Sequence, residues 1–90
     1  MIEHDNIKEL LENVEEGTII LEPQDTFNSA IIGVTHDNKH LVYNYYKIVE
    51  GFMTSDNMSE EEALDYIEYN TIRSLDYMDS EYRPIIINMV

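Results

Sequence analysis

Apolar positions recur with two different periods along this chain, and the changes between them mark out helices and strands. Ile7, Leu10, Leu11 and Val14 stand at i, i+3, i+4 and i+7, which sets them on one stripe of a helix. Asp5 is placed to cap that helix and Gly17 to end it. Thr18-Ile19-Ile20-Leu21 is a short apolar run halted by Pro23 and predicts a strand. A second strand is expected over Ser29-Ala30-Ile31-Ile32-Gly33-Val34-Thr35. The polar group His36-Asp37-Asn38-Lys39 then makes a hairpin turn, with Leu41-Val42-Tyr43 returning. Ile48, Val49, Phe52 and Met53 share a helical face and predict a second helix ending near Thr54 to Asn57.

Ser59 and Glu62 have the capping-box spacing and open a third helix. Its expected buried face is Ala63, Leu64 and Ile67, then Thr71, Leu75 and Met78. Ile72 falls off that stripe, so a kink or break is expected near Tyr69-Asn70-Thr71. After Pro84, Ile85-Ile86-Ile87-Asn88-Met89-Val90 reads as a last strand, and its unbroken apolar character predicts a buried position. The order is α-β-β-β-α-α-β. That predicts one α+β domain over residues 1–90, a small, mostly antiparallel sheet of three or four strands with helices packed on one face.

Charge changes this picture more than any motif does. Nineteen Asp and Glu stand against five Lys and Arg, a formal net charge of −14 on 90 residues. Eight acids fall in residues 1–25 and nine in 56–81, leaving Asp37 and Glu50 between them. Self-repulsion of that size destabilises a compact state, so the acidity asks for a functional reason. It argues against direct nucleic-acid binding, which draws on Lys and Arg, and against anionic membrane surfaces. No apolar run approaches the roughly 20 residues that span a bilayer, and Met1-Ile2-Glu3-His4-Asp5 has no signal-peptide character. A cytoplasmic protein is expected. With no cysteine there is no disulfide framework or thiolate chemistry.

The segment Glu61-Glu62-Ala63-Leu64-Asp65-Tyr66-Ile67-Glu68-Tyr69-Asn70-Thr71-Ile72-Arg73, with Pro84-Ile85-Ile86 after it and the strand Ala30-Ile31-Ile32-Gly33-Val34-Thr35 before it, resembles small uncharacterised proteins of Firmicutes and their phages. In size, acidity and element order the chain also resembles anti-CRISPR proteins. The first resemblance covers about residues 28–90 and carries no activity and no functional residues with it. A phage origin would imply action in the host cytoplasm against a defence system.

Residues three or four apart on a helix stand about 5–6 Å apart at Cβ. Glu9, Glu12 and Glu16 are therefore expected to form one acidic ladder, and Glu61, Asp65 and Glu68 another. Duplex DNA carries one charge for about every 1.7 Å of axis, so two such ladders can imitate phosphates toward a basic groove. The alternative for each ladder is the ordinary solvated face of an amphipathic helix. Seven tyrosines are present, and Tyr66 and Tyr69, interleaved with Asp65 and Glu68, are the interface candidates; others are expected to roof the core. His36, Asp37 and His40 bracket the hairpin turn, but nothing in their spacing fixes a metal centre. No serine sits in a nucleophile elbow and no Gly-rich loop is present, so no enzyme and no cofactor are expected. The expected function is occlusion of a basic, nucleic-acid-binding surface on another protein, a CRISPR effector nuclease among the candidates. The competing reading is a structural or regulatory protein whose acidity serves solubility and which self-associates as a homodimer, with Ile85-Ile86-Ile87 pairing across a two-fold axis if that strand lies at a sheet edge. A small-ligand or metal-binding enzyme is a distant third.

Overall fold

A three-stranded sheet in the order β1-β2-β3 organises the molecule. The computed structural model describes residues 2–89, with side chains over 7–89. Helix α1 (Ile2–Asn13) comes first, then a short α2 (Gln24–Phe27) that tightens into a 3-10 turn, Asn28–Ala30. Strands β1 (Ile31–Val34) and β2 (Leu41–Asn44) form the hairpin. Helices α3 (Tyr45–Ser55) and α4 (Glu60–Tyr66) follow, α4 running on as a π-helical segment, Ile67–Ile72. A 3-10 turn, Leu75–Tyr77, precedes β3 (Ile85–Ile87). The domain is α+β.

β1 and β2 pair antiparallel, with Ile31 opposite Tyr43 and Val34 opposite Leu41, and the register slips by one residue at Ile32. β2 and β3 pair parallel, with Tyr43 opposite Ile86. The sheet is therefore mixed, where a mostly antiparallel one was expected. The reason lies in the connection: a parallel pair needs a crossover, and α3 with α4 and the π segment supply it.

Strand alternation separates the two faces of the sheet. Leu41 and Tyr43 are fully buried, and Ile31, Val34 and Ile86 pack beside them against Ile48, Val49 and Phe52 of α3. Val42, Ile85 and Ile87 alternate onto the other face, where both isoleucines are 38% exposed. The helices thus pack against the face that carries Leu41 and Tyr43.

Several sequence expectations are corrected. Helix α1 stops at Asn13, whose side-chain amide donates to Glu9 O at 2.8 Å, and Glu16 lies in the turn beyond it. Asp5 falls within the helical span, and its side chain lies outside the described residues. Gly17 does not end the helix; it sits in the following turn, with φ +100° and Thr18 N–H bonded to Glu15 O. Thr18-Ile19-Ile20-Leu21 is not a strand. Its donors go singly to other parts of the chain, Ile19 N–H to Tyr82 O and Leu21 N–H to the Tyr43 hydroxyl, so no ladder forms. Ser29 and Ala30 belong to the 3-10 turn, and β1 starts at Ile31. The last strand is a sheet edge rather than a buried strand and extends only over Ile85–Ile87. Leu64, expected inside, is 37% exposed, and Met53 likewise turns outward at 37%.

Candidate acidic interface

The capping box of α4 is formed as the sequence spacing requires. Ser59 Oγ accepts from Glu62 N–H at 3.1 Å, and the Glu62 carboxylate accepts from Ser59 N–H at 2.9 Å. That fixes the helix phase. Ala63, Ile67 and Thr71 then point into the core, so Glu61, Asp65 and Glu68 share the opposite stripe, all three exposed.

The π segment keeps this phase through the place where the apolar pattern drifts. Arg73 N–H bonds to Glu68 O, five residues back. The wider turn returns a residue five positions on to nearly the same face, so Ile72 packs against the core behind Ile67. Asn70 donates its side-chain amide to Tyr66 O at 3.1 Å across the distorted turn.

Tyr66 and Tyr69 stand on this helix in different situations. The Tyr66 ring packs on Phe52 at 5.0 Å between centroids while 43% of the residue remains exposed. Tyr69 is 70% exposed, and the Arg73 guanidinium lies over its ring at 4.9 Å. Tyr45, at the start of α3, donates its hydroxyl to Glu68 at 3.4 Å; burial first, then this carboxylate, pushes its phenol up from the ordinary value. Tyr77 lies outside the helical spacing that singles out Tyr66 and Tyr69. It is 91% exposed on the 3-10 turn, flanked by Asp76 and Asp79, an acid-tyrosine interleaving like that at Tyr66 and Tyr69.

The structure does not gather all the sequence candidates into one array. Glu9 and Glu12 are exposed on α1, which packs against β1, whereas Glu61, Asp65 and Glu68 sit on the helix packed against α3. Glu16, exposed in its turn, is not part of a helical ladder. Among the described residues the two ion pairs are Lys39–Glu81 at 2.9 Å and Lys47–Glu50 at 3.3 Å, and neither uses any of these acids.

The histidine-bearing turn is held by its own hydrogen bonds. Asp37 accepts from the Thr35 hydroxyl at 2.6 Å and from Lys39 N–H at 3.1 Å, bonds that hold its carboxyl below the usual carboxylate value. His40 Nδ1 lies 2.8 Å from Arg83 O. The Glu81 carboxylate, bonded to Lys39, raises that ammonium's pKa. No three His, Asp or Glu among the described residues stand close enough to hold a metal ion.

A groove of about 1050 Å³ opens between α1 and α3, lined by Leu10, Leu11, Asn28, Ile31, Lys47 and Gly51 among others. No helix among the described residues is long and apolar enough to cross a membrane. Comparisons with protein-family models, with curated proteins and with solved structures find no match.

Proposed function

We propose that this domain binds the basic, nucleic-acid-binding surface of another protein through the outer face of α4 and its π extension. The observation that carries the reading is the stripe of Glu61, Asp65 and Glu68, exposed, outside both described ion pairs, and bordered by Tyr66 and Tyr69. A solvated helix face ordinarily mixes charge signs; from Glu60 onward this helix carries five acids before its first cation, Arg73, which is stacked on Tyr69. Carboxylates at helical spacing meet arginine and lysine, and the exposed tyrosines add contact area at small entropic cost. Glu9 and Glu12 extend the negative field from a second helix. The action is occlusion with no chemical step. The resemblance to anti-CRISPR proteins in size and acidity makes a CRISPR effector nuclease the first partner to test.

The test is binding of the purified protein to a panel of such nucleases, with association rate followed against ionic strength. Association should slow steeply with salt and be competed by duplex nucleic acid. The triple reversal Glu61→Lys, Asp65→Lys, Glu68→Lys should reduce the low-salt association rate by about tenfold or more. Binding that ignores both salt and the triple reversal would sink this reading.

A further inference from the structure

The eleven residues of the three strands include no Lys, Arg, Asp or Glu, in a chain that is 27% charged. Within that uncharged sheet the two edges differ. β1 is interrupted at Ile32, where the register slips. Such a break is one of the usual ways of blunting an edge. Among the described residues β3 has no such break, nor the lysine or proline within the strand that would serve the same end. Among the described residues its backbone pairs with β2 alone, and no other hydrogen bond is made to Ile85, Ile86 or Ile87.

We propose that β3 pairs antiparallel with the β3 of a second copy of this chain, about a two-fold axis through Ile86, giving a continuous six-stranded sheet. Two features select a second copy over an unrelated strand. The first is charge. A like-charged molecule can approach this one closely only where the acids are absent, and no acid occurs from Tyr82 to Met89. The second is self-complementarity. A two-fold at the middle residue sets Ile86 against the partner's Ile86 and Ile85 against the partner's Ile87. Ile85 and Ile87, each 38% exposed, then extend the apolar face begun by Val42 into one strip across both copies.

The salt dependence separates this inference from the proposed function, on which it does not rest. Two copies of charge −14 repel, so raising the salt should tighten the dimer, whereas it weakens capture by a basic partner. Sedimentation equilibrium of the intact chain should show a reversible dimer with a dissociation constant that falls as salt rises. The double variant Ile85→Lys, Ile87→Lys sets like charges opposite one another and should be monomeric. The variant Ile85→Lys, Ile87→Glu sets opposite charges across the same axis and should regain the dimer. As the chain has no cysteine, a cross-linking arm reads the register directly and tolerates loss of either charge variant to misfolding. Ile85→Cys mixed with Ile87→Cys should give a disulfide-linked pair under mild oxidation, while each chain alone should not. A wild type that stays monomeric at every concentration and salt would overturn the proposal. So would cross-linking of Ile85→Cys with itself, or a dimer that survives the double lysine variant.

Discussion

Substituting Tyr43 with phenylalanine takes away a single oxygen from the centre of the core. Tyr43 is fully buried, its ring edge-on to Phe27 at 6.1 Å, and its hydroxyl accepts the Leu21 N–H at 3.1 Å. Leu21 is only 6% exposed and belongs to the segment that fails to form a strand. Without the hydroxyl its N–H is left buried and unbonded, which costs about 1–3 kcal/mol. A small domain has a urea m-value of about 1–3 kcal/mol/M, so the midpoint for Tyr43→Phe should fall by roughly 1 M with m unchanged.

The same oxygen adds a pH signature. Burial, against the opposing effect of the Leu21 bond and with a further push from Glu22, raises the phenol to about 12 from the ordinary 10.0. The folded state holds that proton longer than the unfolded one. The associated stability is complete below pH 10 and is lost as the pH rises through about 12, by roughly 3 kcal/mol at most. Phenylalanine has no such proton. The variant should be the weaker protein at neutral pH, and the gap should close and reverse on the alkaline side. Urea denaturation followed by far-UV circular dichroism at stepped pH measures both limbs. Equal midpoints at neutral pH, or curves that stay parallel above pH 10, would refute the argument.

Gly51 of α3 faces α2 so closely that a Cβ there would lie 2.9 Å from the Thr26 carbonyl oxygen. Alanine gains about 1 kcal/mol in helix propensity, but overpacking costs about 1–3 kcal/mol and a backbone carbonyl cannot rotate aside. Gly51→Ala should therefore destabilise, while Gly33→Ala, with open space around it, should not; thermal melts of the two side by side decide it. Ser59→Ala removes one half of the capping box and should cost about 1 kcal/mol in urea denaturation, with no change in the hairpin's amide chemical shifts.

What could be read from the sequence was what depends on neighbours along the chain. The capping box of Ser59 and Glu62, the face of Ile48, Val49 and Phe52, and the hairpin turn at His36 to Lys39 all involve residues a few positions apart. The misfit of Ile72 was visible too, although only the structure shows that a π turn absorbs it. Residues whose partners lie far off were not legible. Ile19-Ile20-Leu21 has strand composition, yet its donors are taken by Tyr82 and Tyr43. Ile85-Ile86-Ile87 looks like a buried strand, yet the sheet runs out on its far side. The same division applies to the candidate site. The stripe of Glu61, Asp65 and Glu68 follows from helical spacing alone. Glu16 joins a ladder only if α1 runs to Gly17, and Tyr77 is turned outward by a 3-10 turn that no local apolar pattern marks.

The hairpin turn has one more consequence, for where this chain can accept added sequence. Exposed polar turns ordinarily tolerate insertions well. Here Asn38 O accepts Glu15 N–H at 2.8 Å and the Thr18 hydroxyl at 3.4 Å, Lys39 holds Glu81, and His40 meets the carbonyl of Arg83. Three consecutive residues, Asn38, Lys39 and His40, thus fasten both the segment that follows α1 and the segment that leads into β3. Lengthening the turn would release both, so the most loop-like stretch of the sequence is a poor place to graft a tag or a peptide.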